Sequence, residues 1–436
     1  MREYNDGQIR HSLREAGYEP VPHAAVSLYA HVPFCRTRCH YCAFYLETGY
    51  PPRVLNETLE GMIHETRFWV KALGQPRMRT VYIGGGTPSV VPPEQLARFL
   101  DQLVEVSPSV ADVDEATMEV NPESVRPELV ETLRTSFVNR ISMGIQSLNN
   151  DELAVLGRRS DRETALRALE YLIGHFDGKI SVDLIVGTPG QTAENLAEGI
   201  RVLLSMGISH VSLYGLTVEP KTVLEQQVQK RMLHMPSHDV HEDLWDCAST
   251  VLRDSGLYDY EVSNYAVPGH ESRHNAGYWN LDPYVGIGPG AVGMVYARSI
   301  DARETVQAVR VTGRDVFSYQ KWKQGIFAPA VETLANADYF FEHFMNGLRT
   351  SRGVNLDVLS GRFGVAADDI LAVLRDYWSE YPSLHSYTGD AGERRVRLDR
   401  EKRMILDHVL PDLWAILDTY GPPPVFRPYR AWEDAT

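Results

Sequence analysis

The chain has 436 residues, of which 43% are hydrophobic and 23% charged, so it is long enough for two or three domains with ordinary buried cores. Its 43 basic and 58 acidic residues give a formal net charge of −15, which disfavours nucleic acid as a partner and is typical of a protein that handles small molecules or protein partners. The sequence has no apolar run that could span a membrane, no signal-peptide core and only four cysteines, so we expect a cytoplasmic protein without a disulfide framework.

Six short β-rich runs alternate with amphipathic segments up to about residue 215. The segment 92–106 illustrates the helical pattern, because four apolar side chains fall on one face: Leu96, Phe99, Leu100 and Leu103. Apolar strands that alternate with helices are typical of a parallel α/β sheet, either a partial (β/α)6 barrel or a doubly wound sheet. The six predicted strands are 26–32, 80–85, 115–120, 139–145, 179–187 and 210–218.

Polar and glycine-rich residues follow five of these runs. Cysteines follow the first run, "GGGTP" the second, "NPE" the third, "QS" the fourth and "GTPGQT" the fifth. The carboxyl ends of parallel strands meet at one edge of a sheet or one mouth of a barrel, where such folds place their sites. The sequence therefore predicts a single site to which several strands contribute.

Three cysteines lie within eight residues of each other after the first run. Cys35, Cys39 and Cys42 have the spacing C-x3-C-x2-C. Thiolates ligate soft metals and iron–sulfur clusters, and three of them would leave one iron of a [4Fe–4S] cluster free for another ligand. A zinc site is the alternative, because His31 and His40 are close enough in sequence to supply a fourth ligand.

The strand–helix alternation ends after about residue 230. One more helix is followed by an aromatic and glycine-rich stretch, and from about residue 331 the chain is mostly helical, with a pattern typical of a helix–turn–helix or winged module. This organisation predicts four parts, which are an N-terminal extension (1–25), a barrel (26–265), a connecting region (266–330) and a C-terminal helical, winged-helix-like domain (331–436).

The segment "CRTRCHYC" is similar to the cluster-binding motif of the radical S-adenosylmethionine (SAM) superfamily, and Tyr41 matches the aromatic residue before its third cysteine. The resemblance implies a partial (β/α)6 barrel in which three cysteines hold a [4Fe–4S] cluster and SAM chelates the fourth iron. In that family the reduced cluster gives an electron to the sulfonium and a 5′-deoxyadenosyl radical is released. The protein orients the cofactor and excludes water from it.

The same resemblance implies SAM contacts at later strand ends, in "YIGGGTPS", "TMEVNP", "RISMGIQS", "LAVLGRRSD" and "ISVDLIVGTPGQT". Glycines allow close approach of the backbone, and charged side chains suit a zwitterionic ligand with hydroxyl groups. The implied SAM contacts are Tyr29, Tyr41, Gly85, Gly86, Thr87, Glu119, Gln146, Arg158 and Asp183.

Beyond the barrel, "YEVSNYAVPGHESRHNAGYW" and "YVGIGPGAVG" resemble the branch that contains oxygen-independent coproporphyrinogen III dehydrogenase and the HemW heme chaperones, and "FFEHFMNGLRTSRGVNL" resembles the HemN-type C-terminal domain of that branch. Phe44 stands where the dehydrogenase has a further cysteine, which favours the HemW group. The group's H-N-x-x-Y-W motif makes His274, Asn275 and Tyr278 candidate heme-binding residues, and imidazole is a natural axial ligand of heme iron. Alternatively, this motif caps a turn and contributes aromatic rings to the core.

The resemblance thus implies a HemW-like heme chaperone that binds and transfers heme on a radical SAM scaffold capable of cleaving SAM. Whether it acts as a chaperone or as a turnover enzyme stays open at this point. Ala43 replaces the usual aspartate, and "CAFY" also resembles radical SAM C-methyltransferases and cyclopropanases, so these and the dehydrogenase stay open as alternatives. Expected partners are heme or another tetrapyrrole, an electron donor and an acceptor haemoprotein. A zinc-dependent DNA-binding regulator is disfavoured by the acidic charge and by the lack of a basic recognition helix.

Overall fold

A computed structural model describes residues 7–300, 306–312, 330–380, 384–404 and 406–418. The described helices are α1 (Gly7–Glu15), α2 (Pro52–Ala72), α3 (Pro93–Val106), α4 (Pro127–Arg134), α5 (Asn150–Val155), α6 (Arg162–His175), α7 (Ala193–Ser205), α8 (Val223–Gln229), α9 (His238–Asp254), α10 (Arg273–Trp279), α11 (Asn336–Gly347), α12 (Leu356–Phe363), α13 (Ala367–Glu380), α14 (Arg400–Met404) and α15 (Leu406–Asp418). The described strands are β1 (Tyr18–Pro20), β2 (Ala25–Val32), β3 (Arg77–Gly85), β4 (Glu115–Val120), β5 (Arg140–Gln146), β6 (Lys179–Val186), β7 (His210–Gly215), β8 (Tyr258–Asp259), β9 (Asn264–Ala266), β10 (Tyr284–Ile287), β11 (Val292–Ser299), β12 (Val306–Thr312), β13 (Ala330–Thr333), β14 (Val354–Asn355), β15 (Leu384–Thr388) and β16 (Arg394–Leu398). None of these helices combines the length and apolar character needed to cross a bilayer.

The main sheet has 13 strands, and its centre is parallel in the order β10–β2–β3–β4–β5–β6–β7. The six predicted strands correspond to β2 through β7 and pair in chain order. Because parallel crossovers are right-handed, crossovers that all advance in one direction place their helices on one face of the sheet. A doubly wound sheet would reverse its strand order, so this topology is that of the predicted partial barrel.

Burial explains why these segments form strands and helices. The first six residues of β5 are all buried, as expected for a parallel strand that is covered on both faces. The apolar face predicted for α3 is buried at all four positions. Asp161 and Thr192 cap α6 and α7 by accepting backbone N–H groups, which defines where these helices begin.

The region 266–330 was predicted as a connecting region, but its described strands belong to the main sheet. β10 pairs in parallel with β2, and β11 and β12 extend the sheet beyond β10. Two glycines of its strands are packing positions, because a Cβ on Gly286 would lie 2.2 Å from the carbonyl oxygen of Val292 and a Cβ on Gly293 would lie 2.6 Å from the N of Gly286. The predicted N-terminal extension is also joined to this sheet, since β1 pairs with β11. The other domain bounds stay a prediction.

The C-terminal part has a second core. α11, α12 and α13 pack beside a three-stranded antiparallel sheet in the order β14–β16–β15, an arrangement of helices and a strand pair like that of a winged helix. Tyr339, Phe344 and Phe363 are among its fully buried side chains. The largely helical C-terminal domain predicted from the sequence is therefore present.

Candidate functional site

A cavity of about 590 Å³ lies at the carboxyl ends of the parallel strands. It is lined by residues that follow or end β2, β3, β4, β5 and β6, as expected for a barrel mouth. The predicted cluster and SAM residues that line it are Cys35, Cys39, Tyr41, Cys42, Gly85, Gly86, Thr87, Glu119, Gln146, Arg158 and Asp183. The structure thus brings eleven residues from six chain segments to one space.

The loop that carries the cysteines is closed by its own backbone. The N–H of Cys35 donates to the carbonyl oxygen of Glu47 at 3.0 Å. The guanidinium of Arg38 donates to the carbonyl oxygens of Cys42 and Leu46, at 3.2 and 3.0 Å. These bonds hold the loop as a turn from which the three thiols face the cavity.

His40 joins this loop to the crossover between β5 and β6. Its N–H donates to the carbonyl oxygen of Leu156 at 3.0 Å, and its Nδ1 lies 2.9 Å from the carbonyl oxygen of Val155. Gly157, at φ +69°, passes so close to the ring that a Cβ there would lie 2.6 Å from His40. The carbonyl oxygen of His40 also accepts the N–H of Leu224. His40 is therefore an anchor of the loop.

These contacts argue against the zinc alternative. The sulfur ligands of one tetrahedral zinc ion lie about 3.8 Å apart. Within the described part of the chain, the three thiols do not form a group whose ligand atoms all lie within 4.8 Å of one another. The other candidate ligand, His31, has Nδ1 2.8 Å from the hydroxyl of Tyr29 and Nε2 2.9 Å from the carbonyl oxygen of Tyr45. Both histidines thus have partners within the protein.

The thiol of Cys35 lies 3.2 Å from the hydroxyl of Thr87, which joins the cysteine loop to the end of β3. Burial raises the pKa of the Cys35 thiol to about 11, although the Thr87 contact opposes this shift. A bound metal cation favours the thiolate, so ligand and metal stabilise each other at such a site.

The glycine run after β3 is required by close packing. Gly85 has φ +112°, and a Cβ there would lie 2.8 Å from the ring of His31. A Cβ on Gly86 would lie 2.8 Å from the backbone of Phe34. The backbone therefore borders the cavity directly, and the N–H of Gly85 donates to Glu119 Oε2 at 3.1 Å.

Glu119 and Asp183 are two of the carboxyl groups that line the cavity, and burial affects both. Desolvation raises the pKa of Glu119 to about 7; the hydroxyl of Tyr82, which donates to Oε1 at 2.9 Å, lowers it and nearby Asp183 raises it further. Desolvation also raises the pKa of Asp183 to about 6, although hydrogen bonds from Ser212 and Ser142 oppose this shift. A cationic ligand would favour the ionised form of both groups.

Arg158 brings a positive charge to the same cavity. Its Nη2 donates to the carbonyl oxygen of Gly144 at 2.7 Å and to Asn121 Oδ1 at 3.0 Å, and its Nη1 lies 3.5 Å from the sulfur of Cys39. Its Nε is buried and has no hydrogen-bond partner among the described residues. The guanidinium is therefore oriented, and it retains capacity for an anionic ligand.

Gln146 ends β5 in an unusual conformation. It has φ +70°, which is costly for a residue other than glycine, and the pairing of β5 with β6 shifts register between Gly144 and Gln146. Backbone strain of this kind clusters at functional sites, and this bulge turns the side chain into the cavity lining.

Tyr29 is the one predicted SAM residue that does not line the cavity. Its hydroxyl bonds His31, and its ring centroid lies 6.1 Å from that of Tyr82. Tyr82 is the residue that reaches the cavity. Tyr29 therefore lies behind Tyr82, outside the cavity lining, and its contact with SAM stays a prediction.

Several lining residues were not predicted from the sequence, among them Tyr82, Asn121, Ser142 and Tyr214. A signal exists for two of them. Side chains on one strand alternate between faces, so Asn121 follows Glu119 by one period of two and Ser142 precedes Gln146 by two such periods. The same period selects neither Tyr82 from Gly85 nor Tyr214 from any predicted residue.

The heme candidates lie away from the cavity, near the amino-terminal ends of the strands. His274 is 1% exposed; its Nδ1 lies 2.7 Å from Thr80 Oγ1 and its Nε2 lies 2.8 Å from the hydroxyl of Tyr278. The N–H of Asn275 donates to Ser272 Oγ in the N-cap of α10. In this conformation both ring nitrogens of His274 are engaged in a closed core, and the predicted heme-binding role of His274 stays a prediction. The alternative, a helix cap with core aromatics, agrees with these contacts.

The residues of the cavity fit a [4Fe–4S] cluster and SAM. Three thiols with no disulfide partner face one space, and the glycine run leaves room there that side chains would fill. The buried Arg158 Nε and two half-buried carboxyl groups offer opposite charges to a zwitterion.

Two family profiles match the chain. The radical SAM superfamily matches residues 29–203, and the HemN C-terminal domain matches residues 334–380. The heme chaperone HemW of Bacillus subtilis is 31% identical over 354 residues, an alignment that covers 80% of this chain and 90% of that protein. The mitochondrial radical S-adenosyl methionine domain-containing protein 1 of Danio rerio is 33% identical over 419 residues, covering 94% of this chain and 91% of that protein.

A solved structure supports the same fold. Coproporphyrinogen III oxidase (HemN) from Escherichia coli, described as a radical SAM enzyme, has a TM-score of 0.72 to this chain. The superposition covers 94% of this chain and 92% of that chain at 19% sequence identity. At this identity the likeness concerns the fold, and it confirms the predicted barrel with its C-terminal domain.

Proposed function

Because this chain belongs to the HemW-like branch of the radical SAM superfamily, as its resemblance predicted, we propose that it is a heme chaperone that holds a [4Fe–4S] cluster and SAM. Membership of the superfamily implies both cofactors. The observation that carries the proposal is the convergence of Cys35, Cys39 and Cys42 with the predicted SAM residues on one cavity. The alignment with a HemW chaperone over 90% of that protein's length supports the heme-handling role.

In this proposal the three thiolates hold the cluster, and the bound cofactors supply one-electron chemistry. Arg158 pairs with the carboxylate of SAM and Glu119 with its ammonium group. Asp183 accepts hydrogen bonds from the ribose hydroxyls, while Gly85 and Gly86 form a flat backbone surface beside the methionine part. The half-buried Tyr41 covers the inner side of the cluster loop and keeps water from it.

Heme is proposed to approach the rim of the cavity rather than His274. Ala43 and Phe44 follow the last cysteine and are exposed, and 70% of the surface of Phe44 is accessible. An exposed aromatic ring beside a small residue offers a face on which a planar macrocycle can stack. An electron donor would approach the same rim to reduce the cluster, and an acceptor haemoprotein would take the heme from there.

The test is anaerobic reconstitution of the full chain with iron, sulfide, SAM and heme. We expect about four non-heme irons per chain, an absorption band of the cluster and a heme spectrum that is lost on mixing with an apo-haemoprotein. Cys39→Ala should lose the cluster. Cys247→Ser is the matched control, because Cys247 is half-buried in α9 and lies outside the cavity lining.

Three outcomes would change the assignment. Wild-type protein that takes up no cluster would refute the proposal as a whole. S-adenosylhomocysteine formed together with 5′-deoxyadenosine on a supplied substrate would indicate a methyltransferase. Decarboxylation of coproporphyrinogen III would indicate the dehydrogenase.

A further inference from the structure

The helix α10 closes the amino-terminal end of the barrel, opposite to the cavity. The carboxylate of Glu115, the first residue of β4, accepts a hydrogen bond from Ser272 Oγ at 3.1 Å. It also accepts the backbone N–H groups of Arg273 and His274, at 3.1 and 3.0 Å. Glu115 is 4% exposed, and the guanidinium of Arg140 lies 3.7 Å from it. A buried, charge-assisted network of this kind fixes the helix against the strands.

His274 extends from α10 into the barrel, and its ring is held at both nitrogens. Thr80 Oγ1 donates its proton to Ser27 Oγ at 2.8 Å, so the Nδ1–H of His274 is the donor to Thr80. The Nε2 atom accordingly accepts the hydroxyl proton of Tyr278. Desolvation lowers the pKa of His274 to about 3, so the ring is neutral at physiological pH. These contacts define both the tautomer and the orientation of the His274 ring.

Tyr82 stacks on this fixed ring and connects it to the cavity. The ring centroids of Tyr82 and His274 are 5.2 Å apart, with 29° between the planes. The hydroxyl of Tyr82 donates to Glu119 Oε1 at 2.9 Å, and Oε2 of the same carboxylate accepts the N–H of Gly85. The position of the carboxylate therefore depends on Tyr82, which in turn rests on His274.

We propose that His274 is a positioning residue of the SAM site, which holds Tyr82 and, through it, the carboxylate of Glu119 where the ammonium group of SAM binds. The inference rests on the SAM binding proposed above and gives His274 a task that does not involve heme. The effect of His274 passes through a single hydrogen bond, from Tyr82 to Glu119. A double-mutant cycle of His274 and Tyr82 can therefore test it.

The test measures SAM dissociation constants by anaerobic calorimetry on full-length protein with a reconstituted cluster. Tyr82→Phe removes one hydrogen bond to a charged group, so we expect binding about tenfold weaker. His274→Ala should weaken binding to a similar extent, about tenfold. The double variant should bind no more weakly than Tyr82→Phe alone, because both changes act on one bond. His274→Phe keeps a ring for stacking and should restore most of the affinity.

A spectroscopic signature separates positioning from general damage. Addition of SAM to the reduced cluster should change its electron paramagnetic resonance spectrum in wild type, and His274→Ala should need about ten times more SAM for the same change. Iron content and unfolding midpoint are measured for every variant. If His274→Ala does not fold, Thr80→Val decides, because it removes the Nδ1 partner of His274; Ser27→Ala is its control, since Thr80→Val also removes the bond to Ser27. SAM binding that is weaker in Thr80→Val than in Ser27→Ala supports the inference, and equal binding overturns it.

The inference is wrong if His274→Ala binds SAM as wild type does, or if the two single effects multiply in the double variant. It is equally wrong if His274→Ala loses heme binding while keeping its SAM affinity, since the ring would then act on heme. Wild-type protein that holds a cluster but binds no SAM would refute the proposed function and the inference together. Unchanged binding in His274→Ala alone would refute only the inference.

Discussion

Glu119→Gln tests the electrostatics of the proposed SAM site. Desolvation raises the pKa of Glu119 to about 7, while Tyr82 and Gly85 lower it by hydrogen bonding and Asp183 raises it by charge. With that pKa, about 9% of the carboxyl groups are ionised at pH 6 and about 91% at pH 8. If the ammonium group of SAM needs the ionised form, the dissociation constant should fall about tenfold from pH 6 to pH 8.

Glu119→Gln should remove this pH dependence of the SAM dissociation constant. At pH 8 Glu119→Gln should bind SAM at least about tenfold more weakly than wild type, because a charged hydrogen-bond partner is lost. At pH 6 the two proteins should differ little, because the wild-type group is then mostly neutral. The variant also controls for the titration of SAM itself, which is the same in both proteins.

The assay is anaerobic titration calorimetry on cluster-loaded protein at five pH values from 6 to 8. Glu94→Gln is the matched control, since Glu94 is exposed in the first turn of α3 and should leave the profile unchanged. A wild-type profile that is flat, or one that Glu119→Gln leaves intact, would refute the assignment of this carboxylate to the ammonium group.

Further measurements test the same site. Because the pKa of Glu119 is raised in the folded, cofactor-free protein, this group stabilises the fold below about pH 4.5, and that stabilisation is lost as the pH rises through about 7. Glu119→Gln should therefore raise the unfolding midpoint at pH 8 but not at pH 4.5. Gly85→Ala should reduce the free energy of unfolding by about 1–3 kcal/mol in denaturant titrations, because φ +112° and the contact with His31 both oppose a Cβ; an unchanged midpoint would contradict that geometry. Arg158→Lys should keep the charge but lose the paired bonds to Asn121 and Gly144, so SAM affinity should fall about tenfold while iron content is retained, and wild-type affinity would show that the charge alone suffices.

The sequence predicted the parts of the fold that depend on local pattern. The strands from β2 to β7 were found because each is a short apolar run, and the site was located because polar residues follow their carboxyl ends. The convergence of Cys35, Glu119 and Asp183 on one cavity follows from parallel pairing in chain order. The sequence pattern was therefore sufficient to locate the site, because neighbouring strands in the chain are also neighbours in the sheet.

Contacts between distant segments could not be predicted in the same way. The environment of His274 is made by Thr80 and Glu115, which the sequence separates from it by most of the barrel. A histidine before a pair of aromatic residues has the same local pattern whether it binds iron or packs in a core. Gly286 likewise fell in the predicted connecting region, because only the neighbouring strand shows that its missing side chain is a packing requirement.

The anchoring of the cysteine loop has a consequence for how the protein is made. His40 is held by Val155 and Leu156 in the middle of the barrel and by Leu224 in α8, all of which are synthesised long after the cysteines. A nascent chain that has just exposed Cys42 lacks these partners and has a loop of undefined shape. We therefore expect the cysteine loop to reach its final shape only after the first 224 residues have been translated, so that cluster insertion follows formation of most of the barrel.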